Sequence, residues 1–253
     1  MRILLGVLAV GAAIALWVRY LMRRQGVWRV RLSDAIPINS KYWRDLNKKS
    51  GDLLYVAIGD SAAQGIGASR PANSYVGVLA RHIRDNIDGT LRVANLGISG
   101  ATVGIALDRE LPALAKLDPD ILTVCIGAND IADFDETRFE RQIGELFAAL
   151  PKHAIVADLP SFYFLPGQKK ARVANRIIRD AAARHNLVVV PLHARTDRQG
   201  LWGVSTQFAG DLFHPNDRGY RVWAAAFTDA VDARLAALST EPAAHPASDG
   251  GHV

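Results

Sequence analysis

Four short clusters carry the side chains with which this chain can do acyl chemistry: Gly59-Asp60-Ser61, the run Asn95 to Gly100 (NLGISG), Gly127-Ala128-Asn129-Asp130, and Asp211 to Pro215 (DLFHP). A serine at a strand-to-helix turn stands at a helix N-terminus, where the dipole favours developing negative charge. The serine needs a base, and a histidine oriented by a carboxylate is the usual one. Asp211 and His214 are three apart, near enough for one loop to hold the hydrogen bond between them. A tetrahedral intermediate needs donors as well. The backbone N–H groups of Ser61 and Gly97 and the side-chain amide of Asn129 can supply them. Each cluster also has a plainer reading: Ser61 as a helix N-cap, Asn129-Asp130 as turn chemistry, Gly97 and Gly100 as loop glycines, His214 as a loop residue. Their joint placement decides for chemistry.

That placement comes from the elements between them. Five six-residue runs, at 53–58, 91–96, 121–126, 154–159 and 187–192, are apolar almost throughout, as parallel strands buried on both faces are. Amphipathic stretches of helical length lie between them at 74–86, 103–116, 137–149 and 169–185, with a last one at 217–237. Alternation of this kind predicts an α/β/α sandwich around a mostly parallel five-stranded sheet. Ligands of open α/β sheets bind beyond the carboxyl ends of the strands, and the four clusters fall at such ends or in the loop before the last helix. Thr137 with Glu140 reads as a capping box for the third of these helices.

Taken together, the four clusters resemble the blocks of the SGNH (GDSL-type) hydrolases, in that family's order and over residues 53–223. The resemblance implies a flavodoxin-like fold and an esterase or lipase activity with no cofactor and no metal. It implies Ser61 as nucleophile, His214 as base and Asp211 as its orienting acid, with Ser61, Gly97 and Asn129 forming the oxyanion hole. Asp60 and Asp130 would support the site from behind, Asp130 by bracing Asn129. One departure is Ala62, where the family has leucine. The aromatic loop Phe162-Tyr163-Phe164 is a candidate substrate pocket. An acyltransferase of the same fold and a non-catalytic membrane-tethered binding protein are the alternatives.

Outside these blocks, residues 3–18 carry no charge and are followed by Arg19, Arg23, Arg24, Arg29 and Arg31. This predicts a membrane anchor or uncleaved signal over 1–23, with a cleaved signal or a core helix as alternatives. The basic flank then favours a cytoplasmic catalytic side, a secreted or extracytoplasmic one following from signal cleavage. Residues 24–52 read as a connector, 53–239 as the hydrolase domain and 240–253 as a disordered tail. The net charge of +5 is uneven: residues 1–50 hold 10 Lys and Arg against 2 Asp and Glu, leaving 20 and 23 for the rest. A mildly acidic body argues against nucleic acid as partner. The single cysteine, Cys125, excludes an internal disulfide, and the few ligand-spaced residues offer no metal site. The expected partner is a small-molecule or lipid ester.

Overall fold

The computed structural model describes residues 2–163 and 166–240. A long helix α1 (Arg2–Asn47) leads into a Rossmann-like alternation of β1 (Leu53–Gly59), α2 (Ser61–Gln64), α3 (Tyr75–Asp85), β2 (Leu91–Asn95), α4 (Val103–Ile105) and α5 (Leu111–Leu114). A π-helical turn (Ala106–Glu110) joins α4 to α5. There follow β3 (Ile121–Cys125), α6 (Glu136–Ala148), β4 (Ile155–Ala157), α7 (Gly167–His185), β5 (Val188–Val190), α8 (Leu192–Asp197), α9 (Gly200–Thr206) and α10 (Asp217–Thr240). All five strands pair in parallel, in the order β2-β1-β3-β4-β5. The direction of winding reverses at β1, so the crevice between the carboxyl ends of β1 and β3 is where this topology places a ligand.

Alternation along the strands builds two cores. Val56 and Ile58 face one side with Leu122, Val124 and Val156, under α6 and α7. Tyr55 and Ala57 face the other with Ile121, Cys125 and Ile155, under α3 and α10. Buried Cys125 is an ordinary core residue, and burial pushes its thiol pKa up. Helix α6 starts one residue before the expected capping box: Asp135, not Thr137, is its cap, accepting from Arg138 N–H at 2.7 Å. The basic run on α7 is partly paired, Arg176 with Glu136 at 3.3 Å and Arg179 with Asp158 at 3.1 Å. Most of the tail expectation, from residue 241 onward, lies outside the described residues.

The N-terminal segment departs most from expectation. Among the described residues no helix is long and apolar enough to cross a membrane. Nor do residues 24–47 form a connector: they continue α1. Trp28, Leu32, Ile36, Asn39, Trp43 and Leu46, spaced by three and four, make a helical stripe that leans on the body. Polar residues and Pro37 interleaved with it hide this period in the sequence. Trp43 is 2% exposed and donates its indole N–H to the Gln64 carbonyl at 3.1 Å. Asn39 donates to the same carbonyl at 3.0 Å. Arg92 clamps the far end, reaching the Asn47 carbonyl at 3.2 Å and its side-chain oxygen at 3.1 Å.

The π turn carries a second unexpected feature, the buried carboxyl of Glu110. Its Oε2 accepts from Gly59 N–H at 2.9 Å, two residues before Ser61. Gly59 C=O in turn accepts from Ile98 N–H at 3.0 Å, so β1 and the Gly97 loop are fixed at one point. Oε1 has no partner among the described residues. Burial pushes the Glu110 pKa up to about 8, outweighing the Gly59 hydrogen bond.

Two outcomes follow from this packing. Trp43→Ala is expected to cost about 3–5 kcal/mol in a denaturant melt, as a fully buried tryptophan does; a loss near zero would mean that α1 is not part of the folded unit. Glu110 binds a proton in the folded state over a range where the unfolded chain has released it. Its contribution is therefore complete below the ordinary glutamate range and lost as pH rises towards about 8. Thermal melts at pH 5 and pH 8 are expected to differ less in Glu110→Gln than in the wild type.

Candidate active site

The four sequence clusters meet at the carboxyl ends of β1 and β3. Gly59 ends β1 and Asp60 caps α2, its Oδ1 accepting from Ala62 N–H at 2.8 Å, which leaves Ser61 as the first helical residue. Capping in this way satisfies one orphan amide of the helix start and holds the serine on the turn. Ala62 and Ala63 pack beneath. The small Ala62 side chain, where the family has leucine, sits at 5% exposure within the core.

Asp211 and His214 are organised by one tight loop. Asp211 Oδ1 accepts from the backbone N–H groups of Phe213 and His214, both at 3.1 Å. Its Oδ2 lies 2.6 Å from His214 Nδ1. Leu212 takes a left-handed conformation (φ 58°), the turn that brings residues 211 and 214 face to face. Ala209 N–H to His214 C=O at 2.8 Å closes the loop. On the other side of the ring, His214 Nε2 lies 3.0 Å from Ser61 Oγ. Burial works to raise the Asp211 pKa, but the His214 hydrogen bond and charge and the two backbone donors outweigh it and hold the carboxyl below the usual range. An ionised acid behind Nδ1 fixes the tautomer in which Nε2 faces the serine.

The three expected oxyanion donors are differently disposed. Ser61 N–H has no acceptor among the described residues and sits at the start of α2. Gly97 N–H donates to Asn95 Oδ1 at 3.0 Å. The Asn129 amide donates to Ala101 C=O at 2.9 Å and to Asp60 Oδ2 at 3.2 Å. Asp60 is thus the group that holds Asn129. Asp130, expected to brace it, instead accepts from Val103 N–H at 3.1 Å and ties β3's loop to α4. Asp60 is buried and its pKa is pushed up to about 6 by desolvation, against the Ala62 hydrogen bond. Gly97 has no room for a side chain: a Cβ there would stand 2.8 Å from that of Ala63.

Gln64 was not legible as a site residue. Its carbonyl accepts from Asn39 and Trp43 of α1, and its amide donates to Gly97 C=O at 2.5 Å. One residue therefore joins the nucleophile helix, the Gly97 loop and α1. No motif marks it, because it acts through a backbone oxygen and a partner 33 positions away.

A cavity of about 290 Å³ opens over Ser61, Asn129 and His214. Phe162 and Tyr163 of the aromatic loop do not line it. Phe162 packs against Gly167 and the core, and Tyr163 stands edge-on to Phe208 at 5.9 Å with its hydroxyl on Thr196 C=O. Phe164 lies outside the described residues. The apolar wall comes instead from Leu32, Ile36, Ile66 and Phe213. Three other histidines have structural partners, His82 with Asp232, His153 with Pro119 C=O and His193 with Leu159 C=O. Among the described residues no cluster of three or more His, Cys, Asp or Glu is arranged to hold a metal ion.

Solved proteins share this architecture. LAE5, an alpha/beta hydrolase from the metagenome of Lake Arreo, Spain, is 26% identical, covering 73% of this chain and 97% of its own at a TM-score of 0.60. The psychrotrophic esterase EstA from Pseudoalteromonas sp. is 22% identical, with coverages of 73% and 100% and a TM-score of 0.57. Axe2, an acetylxylan esterase from Geobacillus stearothermophilus, is 21% identical, with coverages of 71% and 94% and a TM-score of 0.54. No curated protein matches the chain. Residues 57–222 match the profile of the GDSL-like lipase/acylhydrolase family, well over half of the 253 residues, and the chain belongs to that family.

Proposed function

We propose that this protein is a serine esterase that cleaves carboxylic esters through an acyl-enzyme. The observation that carries the reading is the hydrogen-bonded chain from Ser61 Oγ through His214 to Asp211, at 3.0 and 2.6 Å, facing a cavity large enough for a small ester. Family membership supports hydrolase chemistry, and relatives in fold include an esterase and an acetylxylan esterase.

In this reading His214 Nε2 takes the proton of Ser61 as Oγ attacks the ester carbonyl. Asp211 stabilises the imidazolium that forms. The oxyanion is met first by Ser61 N–H, the donor with no internal acceptor. Gly97 N–H joins as it exchanges the neutral Asn95 oxygen for the charged oxyanion, and the Asn129 amide joins as it exchanges the neutral Ala101 carbonyl while Asp60 keeps hold of it. His214 then gives its proton to the departing alcohol, and the sequence repeats with water in place of serine.

Ser61→Ala is expected to lose hydrolysis of p-nitrophenyl acetate while keeping its melting temperature; turnover at the wild-type rate would overturn the assignment. Asp211→Asn keeps the shape of the loop but withdraws the charge behind Nδ1. It is expected to lower kcat by about 10⁴-fold. A change of only a fewfold in steady-state kinetics would remove Asp211 from the catalytic role.

A further inference from the structure

Helix α1 reaches the active-site cavity. Arg29, Leu32, Ser33 and Ile36, one face of the helix, line it opposite Ser61, Asn129 and His214. All four precede residue 57, where the family match begins, so the matched family region does not include this wall. The wall is anchored rather than resting loosely. Gln25 donates to the Asp211 carbonyl at 3.1 Å, beside the triad acid. The Trp28 indole lies flat on Gly210, where even a Cβ would stand 2.0 Å from its Nε1. The guanidinium of Arg31 sits over the same ring, 5.5 Å from its centroid. Asn39 and Trp43 then fix the helix to Gln64, three residues past the nucleophile.

Two properties of this wall bear on substrate. Leu32 and Ile36 oppose Ile66 and Phe213, giving the cavity an apolar lobe. Its volume of about 290 Å³ suits a small ester with a short acyl or alkyl part. Arg29 is the single basic residue other than His214 on the lining and has no hydrogen bond or ion pair among the described residues. The one lining carboxylate, Asp211, is already committed to His214. An exposed arginine on the cavity lining, beside an apolar lobe and without an internal counter-charge, is matched by an anionic group on the ligand.

We infer that α1 is the substrate-selecting wall of this active site: Leu32 and Ile36 bound the apolar lobe, and Arg29 receives a carboxylate or phosphate carried by a short ester. The inference rests on the esterase reading above and names the substrate class of that same site.

Full-length protein is assayed on matched neutral and anionic esters. Phenyl acetate against 4-acetoxybenzoate places the charge on the leaving group. p-Nitrophenyl hexanoate against p-nitrophenyl hydrogen adipate places it on the acyl chain. In at least one pair the wild type is expected to favour the anionic ester in kcat/KM. Arg29→Ala should reduce that preference about tenfold, Arg29→Glu should reverse it, and Arg29→Lys should restore part of it. Ile36→Trp fills the lobe and should shift the acyl-length profile from hexanoyl towards acetyl by about tenfold. Melting temperatures monitor folding, and Ile36→Ala, which enlarges the lobe, replaces Ile36→Trp if the latter is unstable; its profile should move towards longer chains. If the wild type hydrolyses esters but neither preference nor profile responds, the wall proposal is overturned and the esterase reading stands. If the wild type cleaves no ester in either pair, both fall.

Discussion

A 3.0 Å hydrogen bond between Ser61 and His214 joins groups 153 residues apart, and most of the surrounding architecture serves to keep it at that length. Ser61 is held by the end of β1 and the Asp60 cap. His214 is held by a loop whose own geometry is set by Asp211. Neither side chain can wander far. Both turns are closed by hydrogen bonds to a carboxylate, and Asp211 binds three donors of its own loop at once. A charge with several short hydrogen bonds in a partly dry setting is a stiff support, which is what positioning a nucleophile to a few tenths of an ångström requires.

Behind that bond stands a second set of groups that do not face the cavity. Glu110 pins Gly59, Gly59 pins Ile98, and Gln64 pins Gly97, so the Ser61 turn and the Gly97 loop are tied together directly. Asp60 serves two purposes, capping α2 with one oxygen and holding the Asn129 amide with the other. The resting site thus keeps two of its three donors occupied internally. In the proposed mechanism a developing oxyanion is a better acceptor than the neutral Asn95 oxygen or Ala101 carbonyl, so Gly97 N–H and the Asn129 amide would be engaged by the transition state more than by the neutral ester.

The strands and the four clusters were legible in the sequence because both depend on local patterns. Apolar runs of six mark buried parallel strands, and polar residues immediately after them mark the site. What was not legible acts over distance or under disguise. Glu110 lies within an amphipathic stretch as one more polar residue, and only the fold turns it inward. Gln64 works through its backbone oxygen. Asp130 was assigned to its sequence neighbour Asn129, whereas the turn aims it at Val103. In α1 a real helical stripe was broken up for the eye by Ser33, Asp34 and Pro37, while the uncharged run ahead of it suggested a bilayer instead. The aromatic loop at 162–164 drew attention by composition, yet its first two rings pack into protein and the cavity wall comes from the other end of the chain.

The central claim is that Ser61 is a nucleophile made reactive by His214. Its most direct test is the mass of the intact protein after brief exposure to a fluorophosphonate, with the modified peptide identified by fragmentation. The account predicts one adduct per molecule, on Ser61, formed at least 10²-fold more slowly in His214→Ala. An unmodified protein, an adduct on another residue, or labelling of Ser61 at an undiminished rate in His214→Ala would contradict it.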